Sequence, residues 1–289
     1  MTTLAARDNL RGGAWLIADL SLNIWALALV KALGPDYPAA QIVFLRASVG
    51  FVLIAPLIWR DRAHFQTIPD LGWHALRVGL SVTTLIFSFY AIARVPLALF
   101  TAIGFTRPII TMIMAAVFLR EVIGARRWIA AAFAFLGVLV AIGPGGLAWS
   151  AGLAALAVVV LTGSAAIIVT RRLRAAPTIV LMAFYTIGLT VVSAPFAFAQ
   201  WVALPAADLV PVVLIGVLAQ SAQMCFLRAH FYGEAGFLSV LSYTSLVLSV
   251  AVGYLVFGEA PDVAFFIGAA LVIGAALTVT AKPATLPAR

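Results

Sequence analysis

Asp19 and Arg107 raise the question of chemistry first, because each is a charged residue set inside a long apolar run. A charge in such a place is costly, and it persists where it pairs with another charge, relays protons or meets a ligand. At about 1.5 Å of rise per residue, Asp19 lies about 11 Å and Arg107 about 16 Å into their runs. Those depths allow an Asp19–Arg107 pair. The pair reads as a structural ion pair, or as a site that takes a proton or a ligand carboxylate. Arg77 is shallow enough to snorkel toward a surface. Arg46 lies deeper, with no partner that the sequence names.

Uncharged polar groups recur at similar depth: Asn23, Thr101, Ser164, Gln220, Gln223, Ser242 and Tyr243. They supply the donors and acceptors that a zwitterionic solute needs, or they act as hydrogen-bonding glue between helices. Gln220 and Gln223, three apart and so roughly on one helix face, point to a cavity. Phe87, Tyr90, Phe105 and Tyr243 are aromatics that could stack on an apolar side chain. Pro108 follows Arg107 and has no N–H to give the carbonyl of Gly104, so Gly104 and Pro108 predict a kink.

The remaining motifs are negative. No H-E-x-x-H, G-x-S-x-G or Walker A sequence occurs, which argues against hydrolytic enzymes and ATP-driven pumps. Cys225 is the single cysteine, so no intrachain disulfide and no cysteine-based metal site is expected. No metal and no cofactor is expected.

The elements that position these residues follow from composition. Hydrophobic residues make up 64% of the 289 and charged residues 10%. A chain so apolar needs lipid as solvent for most of its length. A crossing helix takes about 20 apolar residues. On that basis the sequence predicts an all-α integral membrane protein with ten transmembrane helices, at 12–33, 38–59, 72–93, 96–119, 126–143, 150–170, 177–199, 208–227, 235–257 and 262–281. The run 12–33 is too long for a signal peptide core, so it reads as a retained span. The net charge of +8 does not indicate nucleic acid, because the basic residues sit between the apolar runs. With the N-terminus inside, nearly all of those outside the spans fall on the cytoplasmic side, leaving only Lys31 and Arg94 opposite. That bias predicts both termini in the cytoplasm.

The second half is a weaker copy of the first. Glu121 falls on Glu259, Pro38 on Pro177, and Pro56 on Pro195. Five spans per copy is an odd number, so the two units, residues 1–145 and 146–289, must lie inverted in the bilayer. Glu121 and Glu259 each stand at a helix junction, where a carboxylate suits the positive end of the next helix. Small residues at four-residue spacing (Ala130, Ala134, Gly137, Ala141; Ala270, Gly274, Thr278) suit close packing of the fifth and tenth spans, within a monomer or across a homodimer.

Each half ends in a span, a short glutamate hinge and a small-residue helix: RPIITMIMAAVFLREVIGARRWIAAAFAFLGVLVA in the first and TSLVLSVAVGYLVFGEAPDVAFFIGAALVIGAALTV in the second. This resembles the EamA family of the drug/metabolite transporter superfamily, and within it the YddG-type exporters of aromatic amino acids. The resemblance implies a bacterial inner-membrane transporter, with spans 1, 3, 4, 6, 8 and 9 around a central cavity and spans 5 and 10 behind. The function it implies is secondary transport by alternating access, exporting aromatic and other neutral amino acids and related small metabolites. The alternatives are export of cationic drugs by the same fold, and a non-transporting membrane scaffold or intramembrane enzyme. The first half has Pro108 before its glutamate hinge where the second has Leu246, so the halves are not equivalent at the predicted kink. Asp19 is the carboxylate that could carry a coupled proton; uncoupled facilitation needs none.

Overall fold

In lipid, every backbone N–H and C=O must find its partner within the chain, and a helix does this locally. The computed structural model describes residues 8–65, 68–118, 150–173, 176–232 and 244–280, with positions scattered between 125 and 140 and Leu241. Among the described residues the regular elements are helical, with no strand. They are α1 (Asn9–Leu33), α2 (Ala39–Arg60), α3 (Leu71–Ile92), α4 (Leu97–Gly104), α5 (Arg107–Phe118), α6 (Ala151–Arg172), α7 (Thr178–Ala199), α8 (Ala206–Tyr232), α9 (Thr244–Phe257) and α10 (Val263–Thr280). The labels count helical segments and not spans, since α4 and α5 divide the expected fourth span. Six helices, namely α1, α2, α3, α6, α7 and α8, are long and apolar enough to cross a membrane. A helix of 22 residues reaches about 33 Å, the depth of a hydrocarbon core. Half of the fifth expected span, and the start of the ninth, lie outside the described residues.

The helix ends are set by residues that stop or cap them. Asp8 accepts from the Arg11 N–H (3.0 Å) and Ser150 from the Leu153 N–H (3.2 Å), opening α1 and α6. Pro38, Pro96 and Pro177 stand just before α2, α4 and α7, where their missing N–H is no loss. Gly34, at φ 70°, ends α1.

The halves interleave. α1 packs on α8 and α3 on α6; α2 packs on α7; α2 also meets α8, and α3 meets α7. α4 and α5 lie against α6, α9 against α1, and α4 against α9. Exchanging α1 with α6, α2 with α7, α3 with α8, and α4–α5 with α9 maps each of these cross-half contacts onto another or onto itself. A core of Ile24, Val43, Val78, Phe89, Leu189 and Ile215 runs through α1, α2, α3, α7 and α8. Large apolar side chains such as Val52, Phe198, Leu255 and Phe266 are exposed outside the bundle, a surface that hydrocarbon accommodates.

Of the two packings expected for the small-residue seam of α10, within a monomer or across a homodimer, the described residues bear only on the first. Ala270 and Gly274 are exposed, and nothing among the described residues would meet a Cβ at Gly274. Phe265 and Ala275 are the side chains that turn inward instead. Close approach is used at the cross-half contacts, where a Cβ at Gly188 would come 2.5 Å from Val78 and one at Gly216 would come 2.5 Å from Val49. Gly188→Val therefore overpacks the α3–α7 contact. It should lower unfolding stability by about 1–3 kcal/mol, read as a lower thermal midpoint of the purified protein in detergent, whereas Gly274→Val should leave that midpoint unchanged.

Candidate functional site

The break between α4 and α5 is the local feature from which the site is built. Position 108 cannot donate to the carbonyl of Gly104, and the ladder tightens just before it. The Phe105 N–H goes to Ala102 O (3.1 Å) and the Thr106 N–H to Ile103 O (2.9 Å). The Thr106 hydroxyl also donates to Ile103 O (2.7 Å). α5 then starts afresh at Arg107, with the Ile110 N–H on Thr106 O (3.2 Å).

Gly104 and Arg107 thereby line a cavity of about 330 Å³ inside the bundle. Polar side chains reach it from α1 (Asn23), α2 (Arg46), α3 (Thr84, Ser88), α7 (Tyr185) and α8 (Gln223), and aromatic faces from Phe89 and Phe100. α2 and α7 thus contribute two polar groups to a cavity that the family resemblance assigned to other spans. No described residue of α9 lines it.

Arg107 and Asp19 do not pair. Arg107 Nη2 reaches only Val159 O, at 3.5 Å, and its Nε is buried with no partner. Its guanidinium lies against Gly163, where a Cβ would come 2.3 Å from Nη2. Ser164, fully buried on the next residue of α6, donates to the Arg107 carbonyl (3.3 Å). Asp19 is 5% exposed and accepts from Asn23 Nδ2 at 2.7 Å. Asn23 lines the cavity and Asp19 does not. Arg46 lays its guanidinium over the Phe89 ring, 6.0 Å from the centroid. Arg77 does not snorkel: its Nε donates to Thr170 Oγ1 (2.8 Å) and its Nη1 to Leu181 O (2.9 Å), tying α3 to α6 and α7.

The other sequence candidates divide. Gln223 lines the cavity, while Gln220 lines an adjoining small pocket with Arg46 and Tyr185. Three residues advance a helix by about 300°, which leaves the two side chains about 60° apart. Phe87 is 38% exposed and lines neither space, because Thr84, Leu85 and Ser88 take the inward face of α3. Tyr90 lines a second cavity, of about 480 Å³, beside the C-terminal end of α1, with the Arg94 guanidinium 3.7 Å from its ring centroid. Phe89 is the residue common to both cavities. The Thr101 hydroxyl donates to Leu97 O (3.0 Å) and takes no part in the lining. Phe105 packs with Ala102, Leu246 and Phe265. Ser242, Tyr243 and Glu121, and the side chain of Pro108, lie outside the described residues.

Glu259 acts over a longer range than its position before α10 suggests. The start of α10 is capped by Asp262, which accepts from the Phe265 N–H (2.8 Å). Glu259 instead accepts from the Leu97 N–H at the first turn of α4 (2.8 Å) and pairs with Lys31 Nζ of α1 (2.9 Å). Lys31 also donates to Val95 O (2.7 Å). Two more ties lie near this end of α1 and α2. Tyr37 donates to Asp208, which raises the Tyr37 pKa above its usual value. Gln41 exchanges two bonds with the backbone of Val202, at 2.7 and 3.0 Å.

An all-helical, multi-pass bundle enclosing a solute-sized polar cavity is the form of a membrane transporter. The chain belongs to the EamA-like transporter family, whose sequence pattern matches residues 14–143 and, separately, 149–281. It is a transporter of the drug/metabolite superfamily and not an enzyme. A riboflavin transporter of Brucella anthropi is 27% identical, over 83% of this chain and 87% of its own. An S-adenosylmethionine uptake transporter of Rickettsia felis is 23% identical over 94% and 93%. The pseudopaline exporter CntI of Pseudomonas aeruginosa is 27% identical over 94% and 97%. A solved structure matches with a TM-score of 0.69 at 20% identity, over 94% of this chain and 97% of its own, which bears on the fold alone.

The Lys31–Glu259 pair, with side chains 15% and 18% exposed, is buried enough to matter for stability. Lys31→Met should cost about 3 kcal/mol by leaving the carboxylate unpaired. Adding Glu259→Gln should recover part of it, since an amide oxygen still accepts from Leu97. Thermal unfolding of the two variants in detergent checks this.

Proposed function

We propose that this protein is a secondary transporter or facilitator that carries neutral amino acids, aromatic ones included, and related small metabolites out across the bacterial inner membrane. Two inverted five-helix halves, residues 1–145 and 146–289, expose the central cavity alternately to the two sides, with both termini in the cytoplasm. The observation that carries the reading is the cavity itself. It lies at the break between α4 and α5 and offers cationic, amide, hydroxyl and aromatic groups together. A zwitterion with an apolar side chain needs that mixture, because each polar group it brings out of water must be met.

The two-half architecture is supported by the tandem family matches and by the exchange symmetry of the helix contacts. Orientation is supported by the bias of Lys and Arg toward one side. The relatives' names cover three different solutes and include both an uptake transporter and an exporter, so the proposal of cargo rests on the cavity and not on the relatives' names. Export of cationic drugs is disfavoured, since the cavity is lined by two arginines and, among the described residues, by no carboxylate.

Counterflow in proteoliposomes tests the reading. Radiolabelled phenylalanine, tryptophan and leucine should exchange saturably, and ethidium should not. Saturable flux of ethidium or riboflavin with none for any amino acid would overturn the assignment of cargo.

A further inference from the structure

We infer that Arg107 and Arg46 form an anion-recognition pole in the central cavity, so that the cargo is an organic molecule held by its carboxylate or phosphate group. The inference rests on the central cavity being the transport site. Three observations carry it.

The first is an imbalance of charge. Two guanidinium groups line one cavity and, among the described residues, no aspartate or glutamate does. The ion pairs of the described residues lie elsewhere: Arg11 with Asp8, Lys31 with Glu259, and Arg60 with Asp61. Asp19, the nearest carboxylate by depth, is engaged by Asn23. A structural ion pair would have satisfied these arginines within the protein, as Lys31 is satisfied.

The second is the state of the guanidinium donors. Arg107 Nε is buried and unpartnered, and its Nη2 has only a long contact to Val159 O. Arg46 makes no hydrogen bond or ion pair among the described residues, and its Cζ lies 6.0 Å from the centroid of the Phe89 ring. A ring contact takes up none of the guanidinium N–H donors, and these are the groups that grip a carboxylate or phosphate in two parallel bonds. An unpaired cation held away from water is unfavourable until an anion arrives, and this makes anion binding at the site selective over binding of an amine.

The third is how Arg107 is seated. It is the first residue of α5, so the positive end of that helix adds to its charge, as half-helix ends do in other transporters whose broken helices meet anionic groups. The seat depends on Gly163, because any side chain there would occupy the position of the guanidinium. A side chain at Gly163 would displace the guanidinium from this seat.

Ligand-dependent shifts in the unfolding temperature of the full-length protein in nanodiscs test this with four probes: phenylalanine, 3-phenylpropionate, phenyl phosphate and phenethylamine. Phenylalanine and at least one of the two anions should stabilise the wild type saturably, and phenethylamine should not. The better of 3-phenylpropionate and phenyl phosphate names the anionic group. Arg107→Gln and Arg46→Gln should each weaken anion binding at least tenfold. Gly163→Ala should do the same while keeping both charges, which guards against a Gln variant that fails to fold. Stabilisation by phenethylamine in preference to the anions overturns the pole, as does anion binding that all three variants leave unchanged. Anion binding without saturable amino acid counterflow would instead sink the proposed cargo and leave the pole standing.

Discussion

One missing hydrogen bond organises this transporter. In a bundle solvated by lipid, a backbone carbonyl without an N–H partner has to be met by another part of the protein or by water in a cavity. Pro108 cannot donate to Gly104, and the helix that would otherwise cross in one piece becomes α4 and α5. The interruption gives α5 a start of its own inside the bundle and sets Arg107 on its first turn. One of the two charges of the cavity follows from that start, and the other, Arg46, comes from α2; α6 leaves room for the first at Gly163.

The end of the molecule at the C-terminus of α1 is built differently from its centre. Near the C-terminal end of α1, acid meets base or hydroxyl: Lys31 with Glu259, Tyr37 with Asp208. These pairs join α1 to the turn after α9, and the loop before α2 to α8, so they bind one half of the chain to the other. At the centre, among the described residues, the cations stand without carboxylates. Under the proposed alternating access these ties would release and re-form, and a centre whose described lining lacks a counter-charge suits a solute that brings one. Phe89, on both cavities and beneath Arg46, stands between the two regions.

Much of the scaffold was legible from apolar run length alone. Each of the six long helices falls where a run of about 20 apolar residues predicts one, and the helix break lies where proline and glycine are spaced four apart. The partners were not legible, because they depend on how helices rotate and cross. Asp19 and Arg107 have compatible depths, yet Asp19 turns to Asn23, one helical turn along its own helix. Arg77 is shallow enough to snorkel, but Thr170 and Leu181 O are closer than the surface. Glu259 precedes α10 in sequence, while the chain folds so that the open N–H of Leu97 and the ammonium of Lys31 reach it first. Gly163 carries no signal in the sequence at all. Its role appears only when the arginine that fills its place is seen, and Arg46 likewise gains meaning only from the cavity that it shares with Arg107.

In the proposed function, the solute occupies the cavity at the α4–α5 break. Ser88 lines that cavity, and Cys225 is buried, so a Ser88→Cys variant in a Cys225→Ser background offers one accessible thiol at the site. The direct measurement is its rate of modification by a small methanethiosulfonate reagent as phenylalanine is added. Phenylalanine should slow the labelling, with half-protection at the concentration that half-saturates counterflow. Labelling that proceeds at an unchanged rate while counterflow is saturated would contradict it.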